Sequence, residues 1–396
     1  MERRTPLYDY HLRNASQLVK GGGDFMFPLQ YTSSTEEHLN TRANVGMQDL
    51  STMGEVDIKG PGAERLINRL IVNDIRDLMP GQARYSSMVN EQGGVVDDIT
   101  VYKFGDDHFM IVTSSGPRKK TARWIMDYAE GTSAYATDIT AAIALPVVQG
   151  PRSREFLKSV VEGAEIDKLK YFRFVPVQIN GTDLLLSRSG YTGELGYELY
   201  APAEEAGALW EFLLNAGKPF GLKPYGVTAM QTLRLEKAYP LYGNDINEEV
   251  TPFHVGLDRW IRFDKREFIG RDALLRVQER GIEERFSGLV LEGDMGANVR
   301  DPIYSAREVN LYRDEKEYGP EAGSPEDRVF PGAQQVGYVT YSNKGHSVGK
   351  VLALAYLRTT HTFPGSRLVI QTNGRSIPAT VAQTPFFDPG GLRLRA

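Results

Sequence analysis

GVVDDITVYKFGDDHFMIVT, residues 94–113, reads as two strands with a tight turn between them. Residues 94–104 and 108–113 are rich in β-branched and aromatic side chains, and Gly105-Asp106-Asp107 is a hairpin-like turn. A hairpin pairs its strands antiparallel, whereas a parallel pair needs a crossover of about a dozen residues or more. Upstream, residues 55–60 alternate, with Val56 and Ile58 on one face. They run into a helix that Pro61 suits at an early position, with a stripe of Ala63, Leu66, Ile67 and Leu70. Downstream, Pro117 opens a helix carrying Thr121, Trp124, Ile125 and Tyr128. A third helix carries Ala206, Leu209, Trp210 and Leu213, with Gly217 where a C-terminal cap belongs. Strands and helices mix without a βαβ rhythm, so the expected class is α+β rather than a doubly wound sheet.

Toward the C-terminus the pattern turns β-rich. Residues 288–291, 336–340, 351–356, 367–370 and 378–381 are short apolar runs separated by Gly and Pro, which predicts a small barrel or sandwich. Between them, residues 305–331 are charged and rich in Gly and Pro and read as an exposed insertion. A chain of 396 residues fits two to three domains at about 150 residues each.

Composition narrows the chemistry. A net charge of −5 gives no basic footprint for nucleic acid and no attraction to an anionic membrane. The absence of cysteine excludes disulfides, thiolate nucleophiles and Cys-ligated metal centres. The six histidines include no pair at ligand spacing, so no metal site is expected. The most apolar stretch, ITAAIALPVV at 139–148, is far short of the ~20 residues that span a bilayer. The N-terminal MERRTPLYDYH has no apolar segment behind it, so no signal peptide is expected and the cytoplasm is the default.

Three stretches could carry chemistry. Asp97 and Asp98 sit inside an apolar strand, and alternation sends them to opposite faces, with Val96 and Thr100 expected beside Asp98. Each is either a strand-edge acid, a partner in an internal ion pair, or a cavity carboxylate. SGYTGELGYELY, 189–200, reads as a tight turn entering a strand. It lacks the GxGxxG spacing and the βαβ context of a dinucleotide site. Glu198 is either an exposed strand residue or a carboxylate that accepts two parallel hydrogen bonds from a heterocycle such as a pterin or guanine, with Tyr85, Tyr191 and Tyr197 as candidate flat walls. In TLRLEKAYPLYGNDIN, 232–247, Arg234 and Glu236 face different ways on a helix and suit internal ion pairs, and GNDIN reads as a loop.

With RTPLYDYH, PLQYTSSTEEHL, VGMQDLSTMGEVDIKGPGAE, VVQGP and EFIGRDAL in order around these motifs, the chain resembles the aminomethyltransferase family, the T-proteins of the glycine cleavage system and their relatives. The resemblance covers nearly the whole chain apart from the stretch near 305–331. It implies a three-domain, cloverleaf-like ring around a central cavity for tetrahydrofolate, the one-carbon acceptor. Residues 1–275 would form a folate-binding region of two intertwined α+β domains, and residues 280–396 a β-barrel domain. It further implies that Asp98 is the catalytic carboxylate beside the folate nitrogens, that Tyr85 lines the cavity, and that Tyr191 and Glu198 hold the pterin.

The chain also departs from the T-protein pattern. Met230 stands where T-proteins commonly carry a folate-holding arginine, Ser114 where they carry an asparagine, and Lys237 where a small residue is usual. LRLEKAY with Lys237 resembles the folate-dependent demethylating relatives, and the departures together point away from an aminomethyl-lipoyl substrate but not from folate. The expected function is therefore transfer of a methyl or methylene group from a small methylated donor, with Tyr31 and Tyr239 as candidate substrate residues. The alternative is a glycine cleavage T-protein acting on an aminomethyl-lipoyl carrier. A folate-binding assembly factor is a remote third reading, since the cysteine-containing motif of those relatives is missing.

Overall fold

The structure is a computed structural model that describes residues 3–306 and 334–396. Of the expected insertion at 305–331, only Ser305 and Ala306 fall within the described residues. The class is α+β. The 94–113 segment forms the strands Val95–Gly105 and His108–Thr113, paired antiparallel at the centre of a five-stranded sheet. Gln82–Val89 flanks one side, and Gly54–Lys59 and then Tyr135–Asp138 the other.

The outer face of this sheet is covered by the helices Ala63–Leu70 and Arg118–Ala129. The stripe Ala63, Leu66, Ile67 and Leu70 is buried, at about 1.5–3 kcal/mol for each large aliphatic side chain. Pro61 lies two residues ahead of the helix, whose cap is Gly62.

Residues 54–138 are inserted between two neighbouring strands of a second sheet, Val45–Asp49 and Pro146–Gln149. That eight-stranded sheet also contains Gly196–Pro202, Thr182–Ser187 and Phe174–Ile179, and carries the helix Ala206–Ala216 on its outer side. The two sheets meet through their inner faces: Ala83, Tyr102, Met110 and Val112 pack against Leu145, Val147, Phe174 and Tyr200.

The C-terminal strands close into a six-stranded barrel in the order Glu284–Leu291, Lys350–Arg358, Gln335–Gly345, Pro302–Ser305, Arg367–Thr372 and Arg375–Ala382. Closure leaves no free edge, which settles the expected barrel or sandwich in favour of the barrel.

A buried guanidinium ties these parts together. Arg42, on the helix Ser34–Ala43, donates to Glu236 Oε2 at 2.9 Å, to Glu194 Oε1 at 3.0 Å and to the carbonyl of Thr192 at 2.8 Å, and stacks on the Phe387 ring at 4.3 Å. Glu236 Oε1 accepts the backbone N–H of Ser347 from the barrel side at 2.7 Å, and Arg393 donates to Glu194 at 2.8 Å. Burial alone would raise the Glu236 pKa, but His38, Arg42 and the Ser347 N–H overcome it and hold it at about 2. Arg234 pairs with Asp245 of the GNDIN loop at 2.5 Å. The ion pairs expected for Arg234 and Glu236 are therefore present.

Candidate functional site

The paired aspartates divide as alternation requires. Asp97 turns to the helix side, accepting from Thr121 Oγ1 at 2.8 Å and from the Ser114 N–H at 3.3 Å. Asp98 turns to the inner face, accepting from Ser114 Oγ at 2.9 Å and from the Tyr85 hydroxyl at 3.1 Å. Thr100 and Tyr102 follow on that face, but Val96 does not. Met88 pairs with Asp97 while Val89 pairs with Val95, so a bulge inserts Val96, which packs in the outer core with Ile99 and Val101. Alternation read from sequence cannot register an inserted residue.

Electrostatics separates the two acids. Burial raises both, and the neighbouring Asp98 charge adds to the rise at Asp97, which stands well above the carboxylate range. At Asp98, the hydrogen bonds from Ser114 and Tyr85 partly offset burial. Burial therefore disfavours the charged form more strongly at Asp97, while the Ser114 and Tyr85 hydrogen bonds favour the carboxylate at Asp98.

Glu198 lies across the intersheet space on Gly196–Pro202. Its Oε2 accepts from Tyr200 at 2.7 Å and Tyr102 at 3.1 Å. Those two hydroxyls meet at 3.0 Å, and Ser187 Oγ joins Tyr102 at 3.1 Å. Oε1 carries no hydrogen bond from the described residues. Tyr191 is half-buried, with its hydroxyl donating to the Pro240 carbonyl at 2.5 Å and its ring 5.7 Å from that of Tyr239. Burial pushes the Tyr191 hydroxyl far above its ordinary range, and the charges of Arg234 and Asp98 both reach it.

Sequence placed some residues here that the structure puts elsewhere. Tyr197 packs in the outer core of the eight-stranded sheet, accepting from Arg154 at 3.3 Å, so it is no inner wall. Tyr31 bonds His11 Nδ1 at 2.7 Å, and His11 Nε2 in turn meets Asp49 at 2.9 Å; this buried chain has no hydrogen bond to the Asp98 cluster. Met230 packs in an apolar cluster with Tyr225, Ala229 and Leu233. Lys237 is committed to the C-terminal segment, donating to the carbonyls of Asp388 at 2.9 Å and Phe387 at 3.1 Å. Its presence thus has a packing reason that does not depend on the donor. Lys237→Met should cost about 1–3 kcal/mol, the penalty of unmet buried carbonyls, read as a lowered urea midpoint.

The glycines of SGYTGELGY also have a packing reason. A Cβ at Gly190 or Gly196 would lie 2.1–2.3 Å from the Gln149 amide, and one at Gly193 would lie 2.4 Å from the Lys237 side chain. Residues missed from sequence are Tyr102, Tyr200, Ser187 and Glu55. The first two stand four and two residues beyond Asp98 and Glu198, a spacing that marks them as same-face neighbours.

The site's donor set fits a folate. Glu198 keeps one oxygen free to accept, the walls are tyrosines, and among the described residues the buried polar atoms without a partner include Glu55 Oε1, Ser189 Oγ and Arg234 Nη2. Among the described residues no group of three His, Asp or Glu side chains could hold a metal ion, and no helix is long and apolar enough to cross a membrane.

Residues 7–265 match the family model described as the GCVT N-terminal domain, and residues 314–388 that of the glycine cleavage T-protein C-terminal barrel domain. The aminomethyltransferase of Halothermothrix orenii is 34% identical, over 97% of this chain and 100% of its own. Those of Moorella thermoacetica and Symbiobacterium thermophilum are 35% and 36% identical, each over 97% of this chain and over 98% and 97% of their own. The crystal structure of glycine cleavage system aminomethyltransferase T from Bartonella henselae superposes with a TM-score of 0.85 at 25% identity, covering 98% of this chain and 99% of that one.

Proposed function

Since the chain belongs to the aminomethyltransferase family, whose acceptor is tetrahydrofolate, we propose that this folate-dependent transferase takes its one-carbon unit from an aminomethyl group on the lipoyl arm of a carrier protein. Similarity to aminomethyltransferases over nearly the full length supports this donor over the small methylated donors suggested by Met230, Ser114 and Lys237. We further propose the division into a folate-binding region at 1–275 and a barrel domain at 280–396.

The observation that carries the reading is the Asp98 carboxylate, fixed by Ser114 and Tyr85 on the inner face of its sheet, with Glu198 on the sheet opposite. When bound, the folate supplies the nitrogen nucleophile. Asp98 supplies a fixed negative charge at its Oδ atoms where positive charge develops on that nitrogen. Tyr85 and Ser114 set its direction in advance, so no reorganisation is needed during the reaction. Glu198 accepts hydrogen bonds from the pterin edge through its free oxygen, while Tyr102 and Tyr200 lock its rotamer. Tyr191 walls the cavity.

Product analysis tests this. The enzyme and tetrahydrofolate are incubated separately with aminomethyl-lipoyl carrier, methylated amines, sulfoniums and methoxy-aromatics. Methylene-tetrahydrofolate and ammonia, formed with the carrier alone, are expected. Methyl-tetrahydrofolate formed from a small donor without carrier would overturn the proposed donor and restore the demethylating reading.

Two further outcomes are expected. Glu198→Ala should weaken tetrahydrofolate binding by about 1.5–3 kcal/mol, the worth of a hydrogen bond to a charged group, as read by calorimetry. Because burial raises Asp98, the acid limb of kcat/KM should lie above the ordinary carboxylate range, with activity lost as pH falls and Asp98 gains a proton.

A further inference from the structure

Glu55 is a buried acid that nothing above uses. It lies on Gly54–Lys59 in direct register with Val112, Thr100 and Tyr85 across the neighbouring strands, so it stands on the inner face of the five-stranded sheet. Its α-carbon is two strands across and two residues along from that of Asp98, on the order of 12 Å away. The residue is 1% exposed, and its Oε1 has no hydrogen-bond partner among the described residues. Burial raises its pKa far above the carboxylate range; Arg118 opposes this, and Asp138 and Glu198 add to it. Burial thus favours the neutral form of this acid, whose Oε1 has no partner among the described residues.

We infer that Glu55 is a third carboxyl of the folate site and donates its O–H to a carbonyl oxygen on the ring edge of the ligand. Glu198 offers acceptors and Glu55 a donor, and together they suit a heterocycle edge that alternates N–H groups with a carbonyl, as the lactam edge of a pterin does. A buried unsatisfied acid costs stability in the ligand-free protein, and the bound ligand would relieve that cost. The sign with pH agrees. The folded state holds a proton that the unfolded chain releases above about pH 4.5, so Glu55 lowers stability as pH rises through that range.

This inference rests on the folate reading of Glu198 and Asp98, and the test separates the two. Tetrahydrofolate affinity by calorimetry and the melting temperature of the free protein are measured for wild type, Glu55→Gln, Glu55→Met and Glu198→Ala. Glu55→Met is expected to bind about tenfold to hundredfold more weakly while melting no lower than wild type, since an apolar side chain replaces an unmet polar one. Glu55→Gln, which keeps a donor, should bind within about threefold of wild type. Unchanged affinity in Glu55→Met overturns the inference. If that variant also melts lower, Glu55 serves the fold through Arg118 instead. If wild type binds no tetrahydrofolate, or Glu198→Ala binds as wild type does, it is the folate reading of the site that fails.

Discussion

Asp98→Asn is expected to slow turnover by roughly 30- to 1000-fold while tetrahydrofolate affinity changes by less than about threefold. The substitution keeps the shape and one oxygen, and the hydroxyl that met the other oxygen can turn to accept from the new amide, so the ground-state site is little altered. What it removes is a charge that matters most as the acceptor nitrogen becomes cationic, a difference felt in the transition state. Asp97→Asn is the control. Asp97 faces away from the inner cavity and ties its strand to Thr121 on the helix Arg118–Ala129, so its loss should lower the melting temperature more than the rate. Single-turnover rates with each variant decide the matter. A dead Asp97→Asn beside an active Asp98→Asn would reverse the assignment, and two variants slowed by less than tenfold would remove the carboxylate mechanism.

Arg42→Ala is expected to destabilise the protein by about 3–5 kcal/mol, because it leaves the buried carboxylates of Glu236 and Glu194 without their shared cation. Against a total of about 5–15 kcal/mol for a folded domain, that is a large fraction. Arg393 still meets Glu194 and His38 still meets Glu236, so the variant should fold in the cold and melt early. The acid side gives a second reading. Glu236 has a depressed pKa, so its contribution is complete above 4.5 and is lost only as pH falls toward about 2. Without Arg42 its pKa rises, and acid unfolding should begin at higher pH. Calorimetric melting from pH 3 to 7 measures both. A melting temperature within 2 °C of wild type throughout would show that Arg42 does not carry the hub.

Much of this was legible in the chain. The hairpin at 94–113 gave the antiparallel sheet because a three-residue turn leaves no other pairing. The helical stripes were legible because their spacing is local. The opposite facing of Asp97 and Asp98 followed from alternation, but the bulge at Val96 did not, since it exists only relative to the partner strand. Tyr197 looked like a wall because it neighbours Glu198 in sequence, yet adjacent strand residues face opposite ways, and Tyr200 takes the inner position. Tyr31 was uninformative without its partner His11, twenty residues away. Lys237 looked like a mark of the donor because its acceptors, the carbonyls of Phe387 and Asp388, lie 150 and 151 residues further on. Glu55 carried no signal at all: an acid in a strand is ordinary until its carboxyl is found buried with an oxygen unmet among the described residues.

The contacts of Arg42 also set an order of events during synthesis. Its helix emerges early, but Arg393, which donates to the Arg42 carbonyl, lies 351 residues downstream, and Phe387 nearly as far. At about 5–20 residues per second, a ribosome needs on the order of tens of seconds to supply them. Until then Glu194 lacks its second cation and the face of Arg42 is uncovered. The nascent chain must hold its parts together without the bolt that later joins them to the barrel, so chaperone capture should persist through synthesis and fall sharply only once residues 387–393 have left the ribosome.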